Sequence, residues 1–561
     1  MFIPGAEELV ALVAWMPEDV GNKANYRNVA PSIELSLKVL ATQATVENDS
    51  FDNTYDAAAA DKEGLDSKPE YNYSYTEEEG VTLITDENGK VVKAVVSGVN
   101  GKVPDGLFAN LKQSVDENGK PIAVPAERWA DLTEVVIEDG VTEIGKDVFQ
   151  GCVGLTKVTI PDSVKKIGTW SFYMCKGLKN VDIPANMEIG DSSFRQSGLE
   201  QVTVSGGSVG NYAFHRIDNL KKISINCETI GEEAFSGCDY LTDITLGENV
   251  KTLGDKAFYT CDALERVEIP STVTDIGEKT FYSCPALKEA IIRAGTVKAG
   301  TFYNCRALTT LIISDNATLD ASFTAANAYA KETLETVKIG KGEIGNSAFS
   351  NCTNLTTVEL GDGVTSIGKS AFLKCTQLPS ITIGSGVTSI GTSAFNGCTA
   401  LTKAEIKSGA IGDNAFQDCK SLTDVTLGDG VTSIGRNAFL RCTVLTAIKI
   451  GSSVRTIESF AFSGCEALKE VTISAAQVKS GAFSKATALE KVTFGNDVTN
   501  IAAGVFNGSG IKTNNGQLYL KAGTWTSNRK STQVTEGQYI TVDDEVFNQI
   551  VAGKAATWSA T

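Results

Sequence analysis

The pentapeptide Val-Thr-Ser-Ile-Gly opens at Val364, Val387 and Val431. Each copy reaches Ala-Phe three residues after its Gly and Cys three residues after the Phe. A period of 20–50 residues is the mark of a solenoid, propeller or array, and it overrides the usual estimate of domain number from length. Seventeen marker phenylalanines run from Phe149 to Phe506 at spacings of 20–23 residues. One gap of 26, between Phe323 and Phe349, holds an insert-like segment at 316–331. In such an array each unit packs only on its neighbours, so the core grows lengthwise.

The copy Phe-Leu-Arg-Cys-Thr-Val-Leu-Thr-Ala-Ile-Lys-Ile at 439–450 shows the physics of one unit. Leu445, Ile448 and Ile450 supply apolar groups while Ala447 and Lys449 face the other way, which predicts a short strand with one buried face. Upstream, Val431, Ile434, Ala438 and Phe439 are apolar, and Gly435 permits a tight bend. Residues 435–442 are expected to form a single helical turn that inserts Phe439 and Cys442 between layers. The same reasoning makes Phe372, Cys375, Phe395 and Cys398 core residues. Stacked at roughly 4.8 Å per coil, about seventeen coils predict a rod or arc on the order of 80 Å long.

The consensus V-T-x-I-G-x-x-A-F-x-x-C-x-x-L-x-x-V-x-I resembles the BspA-like leucine-rich repeats, the Treponema pallidum type. The resemblance covers 132–506 and agrees in both residue type and spacing over many copies. It implies a leucine-rich-repeat solenoid, mostly β with short helical turns, of the kind found on bacterial or protist surface proteins. Some of these bind host matrix proteins or other microbes. It implies no catalytic residues.

Outside the array, 1–68 reads as a non-repeat segment, with a short helix at 7–15, a half-buried strand at 33–39 and an acidic linker at 48–70. Residues 69–131 read as a β-rich N-terminal cap, in which runs at 81–85 and 91–96 flank the turn signal Asn88-Gly89. Within it, Leu107-Phe108 has the look of a degraded first repeat. The solenoid is placed at 132–515, and 516–561 reads as a C-terminal β cap. The formal charge of −18 disfavours nucleic acid and anionic membrane as partners. No apolar run approaches the length of a membrane span. The first residues are acidic rather than basic and their apolar run is short, so no export signal is read there.

Thirteen cysteines raise a disulfide or a metal. Twelve stand three residues after a marker Phe, and the thirteenth is Cys227; other coils place Ser197, Ile217, Ala326, Ala486 and Ser509 at the same position. A slot that accepts Ala, Ser, Ile or Cys asks for a small buried group. Parallel Cβ vectors about 4.8 Å apart also exceed the reach of a disulfide. With no Cys-x-x-Cys pair and one histidine, zinc has no ligand set, and no cofactor is expected. That histidine, His215, reads as a surface or loop residue; any Ser-His-Asp or Cys-His mechanism would need it. Acidic residues recur singly, without the pairing that glycoside hydrolysis requires, so the chain reads as non-enzymatic.

The outward residues of the repeat strands are mostly polar, including Thr382, Glu405 and Thr426. Ile291 and Ile312 break that rule in adjacent coils, just before the insert with Phe323 and Tyr329. These four residues form the candidate contact patch; the alternative is that the insert folds over the isoleucines and buries them. The function expected is an adhesin-like surface or secreted scaffold for a protein or glycan on another cell or matrix. A rod or spike subunit of a larger assembly, self-associating or anchored through 1–125, is the second reading.

Overall fold

The computed structural model describes residues 80–88, 90–110, 129–320, 323 and 329–511, with 517–520, 523–527, 530–535, 539–540, 549–550 and 554–559 towards the C-terminus. Tyr73–Thr561 is one compact unit and Met1–Asn72 another, and only the first contains described residues. The helix expected at 7–15, the strand at 33–39 and the linker at 48–70 lie outside them.

Most coils contribute two strands to parallel stacks. Lys449-containing Ala447–Ile450 pairs with Glu470–Ile473, which pairs with Lys491–Phe494, always in register. After a bend the chain adds a two-residue strand to a second stack: Thr456–Ile457, then Gln477–Val478, then Asn500–Ile501. In six coils, including Glu289–Val297 and Asp424–Ile434, the two strands merge into one long strand. The alternating burial of Glu470–Ile473 puts Val471 and Ile473 inside, as the period of two requires. Among the described residues, antiparallel pairing occurs only towards the two ends. Val81–Thr85 pairs with Val91–Val96 as the Asn-Gly signal predicted, and Gln517–Tyr519 pairs with Tyr539–Ile540.

The third wall is built differently from the expectation. Residues 435–442 form stacked turns and not a helical turn. Asn437 and Arg441 lie at φ 56° and 59°, in the left-handed region that no right-handed helix can include. The same two positions, two before and two after the marker Phe, are left-handed in coil after coil, as at Trp170 and Met174, or Ser370 and Lys374. This geometry turns alternate N–H groups towards the next coil. Asn437, Phe439 and Arg441 donate to the carbonyls of Ser459, Ala461 and Ser463 at 3.2, 2.7 and 2.9 Å. A left-handed non-glycine residue costs ~1–2 kcal/mol. Three inter-coil hydrogen bonds at about 0.5–1.5 kcal/mol each offset much of that.

Where a glycine follows the Ile that ends the second strand, it serves close approach rather than an unusual φ. A Cβ on Gly391 would meet the carbonyl carbon of Gly368 and the nitrogen of Lys369, each at 2.5 Å. Inside the coils the marker rings form a column: Phe372, Phe395 and Phe416 follow at 5.2 and 5.0 Å, nearly parallel. The column starts one coil earlier than the repeat spacing alone indicates. Phe108, from the short helix Leu107–Asn110, packs 5.0 Å from Phe149, and Lys102–Val103 pairs in parallel with Glu143–Ile144.

All thirteen cysteines are free and buried. Their Sγ–H groups have a defined role: Cys398 donates to the Phe372 carbonyl at 3.2 Å, and Cys375 and Cys442 to those of Phe349 and Phe416 at 3.3 Å. Thus Cys fills the slot and satisfies a second lone pair on the preceding coil. Burial pushes the Cys398 thiol up to about 12 and holds Cys375 and Cys442 well above the ordinary range.

Candidate functional site

Ile291 and Ile312 sit directly opposite each other on neighbouring strands, with Glu268 beside the first and Lys338 beside the second. Both isoleucines are half-buried. An ion-pair network borders them. Arg266 donates to Glu289 at 2.6 Å and to Glu268 at 2.9 Å, and Arg293 donates to Glu268 at 2.7 Å. The two guanidiniums, Arg293 foremost, hold the Glu268 carboxyl below its usual range. Charges fixed around an apolar pair set the orientation of a docking surface more than its strength.

The insert does not complete this patch as expected. Phe323 occupies the marker slot, is buried, and packs its ring 6.0 Å from Phe349. An apolar ring in the core column is not available to a partner, so Phe323 leaves the set of contact residues. Tyr329 opens a single 3-10 turn, Tyr329–Glu332; its side chain lies outside the described residues. Phe372, Cys375, Phe395, Cys398, Phe439 and Cys442 are all fully buried.

His215 departs from its expectation. It is only 2% exposed, held between the Tyr212 ring, edge-on at 5.6 Å, and Glu233, whose Oε2 lies 3.7 Å from Nδ1. Its column position, just after Phe214, lies on the edge formed by the turns. Burial first, then the charges of Arg195 and Arg216, hold its pKa well below the ordinary value, so the ring is neutral at pH 7. Among the described residues the polar groups that meet the ring nitrogens belong to Glu233, and no hydroxyl or thiol is placed to use the ring as a base. Glu233 is paired with Lys256 at 2.9 Å. Among the described residues, no group of three or more His, Cys, Asp or Glu is placed to hold a metal, and no helix is long and apolar enough to cross a membrane.

The signal that would have found the His215 neighbourhood is a comparison of one column across coils. The position after the marker Phe holds Tyr259, Tyr282 and Tyr303 in three consecutive coils, stacked at 5.0 and 4.6 Å. Later coils hold Ser350, Asn396 and Gln417 there. A ladder of three carboxylates, Asp218, Asp239 and Asp262, runs nearby. Desolvation, then the charges of Asp262 and Asp218, raises Asp239 to about 6.

Comparison with known proteins bears on this geometry. Solved structures similar to this chain include a leucine-rich repeat protein from Bacteroides ovatus, 24% identical over 76% of this chain and 95% of that one, TM-score 0.32. A leucine rich cell surface protein from Faecalibacterium prausnitzii is 23% identical over 76% and 96%, TM-score 0.26. A leucine-rich repeat protein from Eubacterium ventriosum is 20% identical over 81% and 97%, TM-score 0.28. No curated protein matches. The family described as "BspA type Leucine rich repeat region (6 copies)" matches at 127–225, 207–324, 322–410 and 409–519, well over half of the chain. With the coil geometry, that match decides the assignment: the chain belongs to the BspA-type leucine-rich repeat family.

Proposed function

We propose that this protein is a non-catalytic binding scaffold of the adhesin-like kind, displayed at a cell surface or secreted, that engages a partner through its coils. The observation that carries the reading is the break in the outward column. A polar sheet face is interrupted by the registered pair Ile291 and Ile312, half-exposed and bordered by fixed charges. Stable coils need no apolar residue there, since Thr382, Glu405 and Thr426 occupy equivalent positions in register without one. Many weak contacts on one frame add through effective concentration rather than through a single strong site.

The test is binding of the full chain to a panel of immobilised extracellular-matrix proteins, with Ile291→Ser/Ile312→Ser alongside. The expected result is binding by the parent and a loss of tenfold or more in the variant at unchanged melting temperature. A variant that binds as the parent does, or a parent that holds no partner and sediments as a polymer, overturns the reading in favour of a structural rod.

A further inference from the structure

The column just after the marker Phe carries a run that the scaffold does not require. Tyr259, Tyr282 and Tyr303 occupy it in three consecutive coils, where other coils make the same turn with Ser350, Leu373, Asn396, Gln417 or Leu440. The three tyrosines are half-buried. Their rings stack face to face, at 5.0 Å with 8° between the planes and then at 4.6 Å with 15°. The core rings of the same coils do the opposite. Phe258 lies 5.3 Å from Phe281 and Phe281 lies 5.9 Å from Phe302. Further on, Phe323 is tilted by 52° against Phe349 at 6.0 Å. The core column loosens towards the insert while the tyrosines close up.

Nearly parallel rings at 4.6 Å between centroids are in offset contact, so carbons of one phenol lie against those of the next. That arrangement suits one reaction. A phenol that loses an electron and its proton becomes a phenoxyl radical, its spin shared between the oxygen and the ring carbons ortho to it. Two adjacent phenoxyls join ortho carbon to ortho carbon, and the hydrogens on those carbons move to the two oxygens. Two phenols thus give one biphenol, two protons and two electrons. Hydrogen peroxide takes up both pairs and leaves as two waters.

We propose that the ladder Tyr259–Tyr282–Tyr303 is an oxidative modification site, at which peroxide and a one-electron catalyst of the haem-peroxidase class join neighbouring rings, Tyr282 to Tyr303 first, as a covalent staple between coils. The bond closes a loop of about twenty residues, and such a link limits the chain's freedom to open. It lies on the coils that lead into the insert, where the core rings stack least closely. Stacking and half-burial cover the ring faces against a second chain, so the bond forms within one molecule. Tyr240, 61% exposed, is the contrasting ring, open to another molecule. This site shares no residue with the isoleucine pair and stands or falls apart from the binding reading.

The test is treatment of the full chain with hydrogen peroxide and a haem peroxidase, read by dityrosine fluorescence, chain size under denaturing conditions and peptide mass mapping. The expected product is a monomer lighter by two hydrogens with Tyr282 joined to Tyr303. Alkylation of the buried thiols Cys284 and Cys305, which need local opening to react, should slow tenfold or more against the untreated chain. Tyr282→Phe keeps the ring and removes the phenol common to both pairs, so it should melt as the parent does and form no bond within the monomer. Tyr303→Leu, the residue that the coils of Phe372 and Phe439 use there, should confine the bond to Tyr259 and Tyr282. The inference is overturned if no linked monomer forms, if Tyr282→Phe yields as much of it as the parent, or if linkage runs only between chains through Tyr240. A linked monomer whose Cys284 and Cys305 react as fast as before overturns the staple.

Discussion

Replacing Phe395 by Ala tests whether the array is held together coil by coil. The ring is fully buried and lies between Phe372 at 5.2 Å and Phe416 at 5.0 Å. Truncating a buried Phe costs about 3–5 kcal/mol in lost transfer energy and residual cavity. In a stack where each coil touches only its neighbours, that loss falls on two interfaces and not on the whole molecule. The buried thiols report position. Cys375, Cys398 and Cys419 flank the cavity, while Cys175 and Cys238 lie many coils away, and all are shielded and poorly ionised in the folded state. At 1.4 kcal/mol per decade, local opening should speed alkylation of the three flanking thiols by between about a hundredfold and a few thousandfold. The distant thiols should hold their rates. Alkylation at each site is followed by mass spectrometry under native conditions. Equal acceleration at every cysteine would refute neighbour-only coupling and show one global cooperative unit. No acceleration anywhere would refute the assignment of the rings as the core.

Two further outcomes follow from the turn edge. Gly481 is left-handed at φ +70°, and a Cβ there would lie 2.5 Å from the Phe460 ring, itself 44% exposed; Gly481→Ala should cost ~1–2 kcal/mol from the backbone alone. The clash adds to this, so Phe460→Ala should recover part of the loss, and additive losses in a double-mutant cycle by denaturant would count against the contact. For Asp239, raised to about 6 by desolvation and then by Asp262 and Asp218, the folded state binds a proton that the unfolded state has released. Stability from this group is therefore present below about pH 4 and lost as pH rises through about 6. Asp239→Asn should be more stable than the parent at pH 7 and should flatten the melting temperature between pH 4 and 7; an unchanged slope would rule out the carboxylate ladder as its cause.

How much of this was legible depended on whether a residue's role repeats. Phe372, Cys398 and Ile450 recur at fixed spacing, so their shared burial could be read from the chain, as could the hairpin at Asn88-Gly89. The third wall could not. A helical turn and a left-handed turn both accept apolar residues around Phe439, and nothing in Asn437 or Arg441 as residue types demands φ near 57°. That conformation is imposed by hydrogen bonds to Ser459 and Ser463 in another coil. Gly435 looks like a bend in the sequence, but its need arises from backbone approaching across coils, since a Cβ there would lie 2.6 Å from the carbonyl carbon of Gly412. His215 was misread for a related reason. A single histidine in a polar stretch carries no sign of burial, because the groups enclosing it come from coils before and after. Phe323 fitted two roles, marker and patch, and burial against Phe349 chose between them.

The turn ladder gives the molecule a direction. Along most of the array the turn wall offers its N–H groups forward to carbonyls that the ribosome has yet to deliver, so a half-made array ends in donors awaiting acceptors about twenty residues on. In the coil of Phe506, the N–H groups of Gly504, Phe506 and Gly508 donate to no carbonyl of a later coil among the described residues. Growth by whole coils therefore adds bonds of the same kind to those already made.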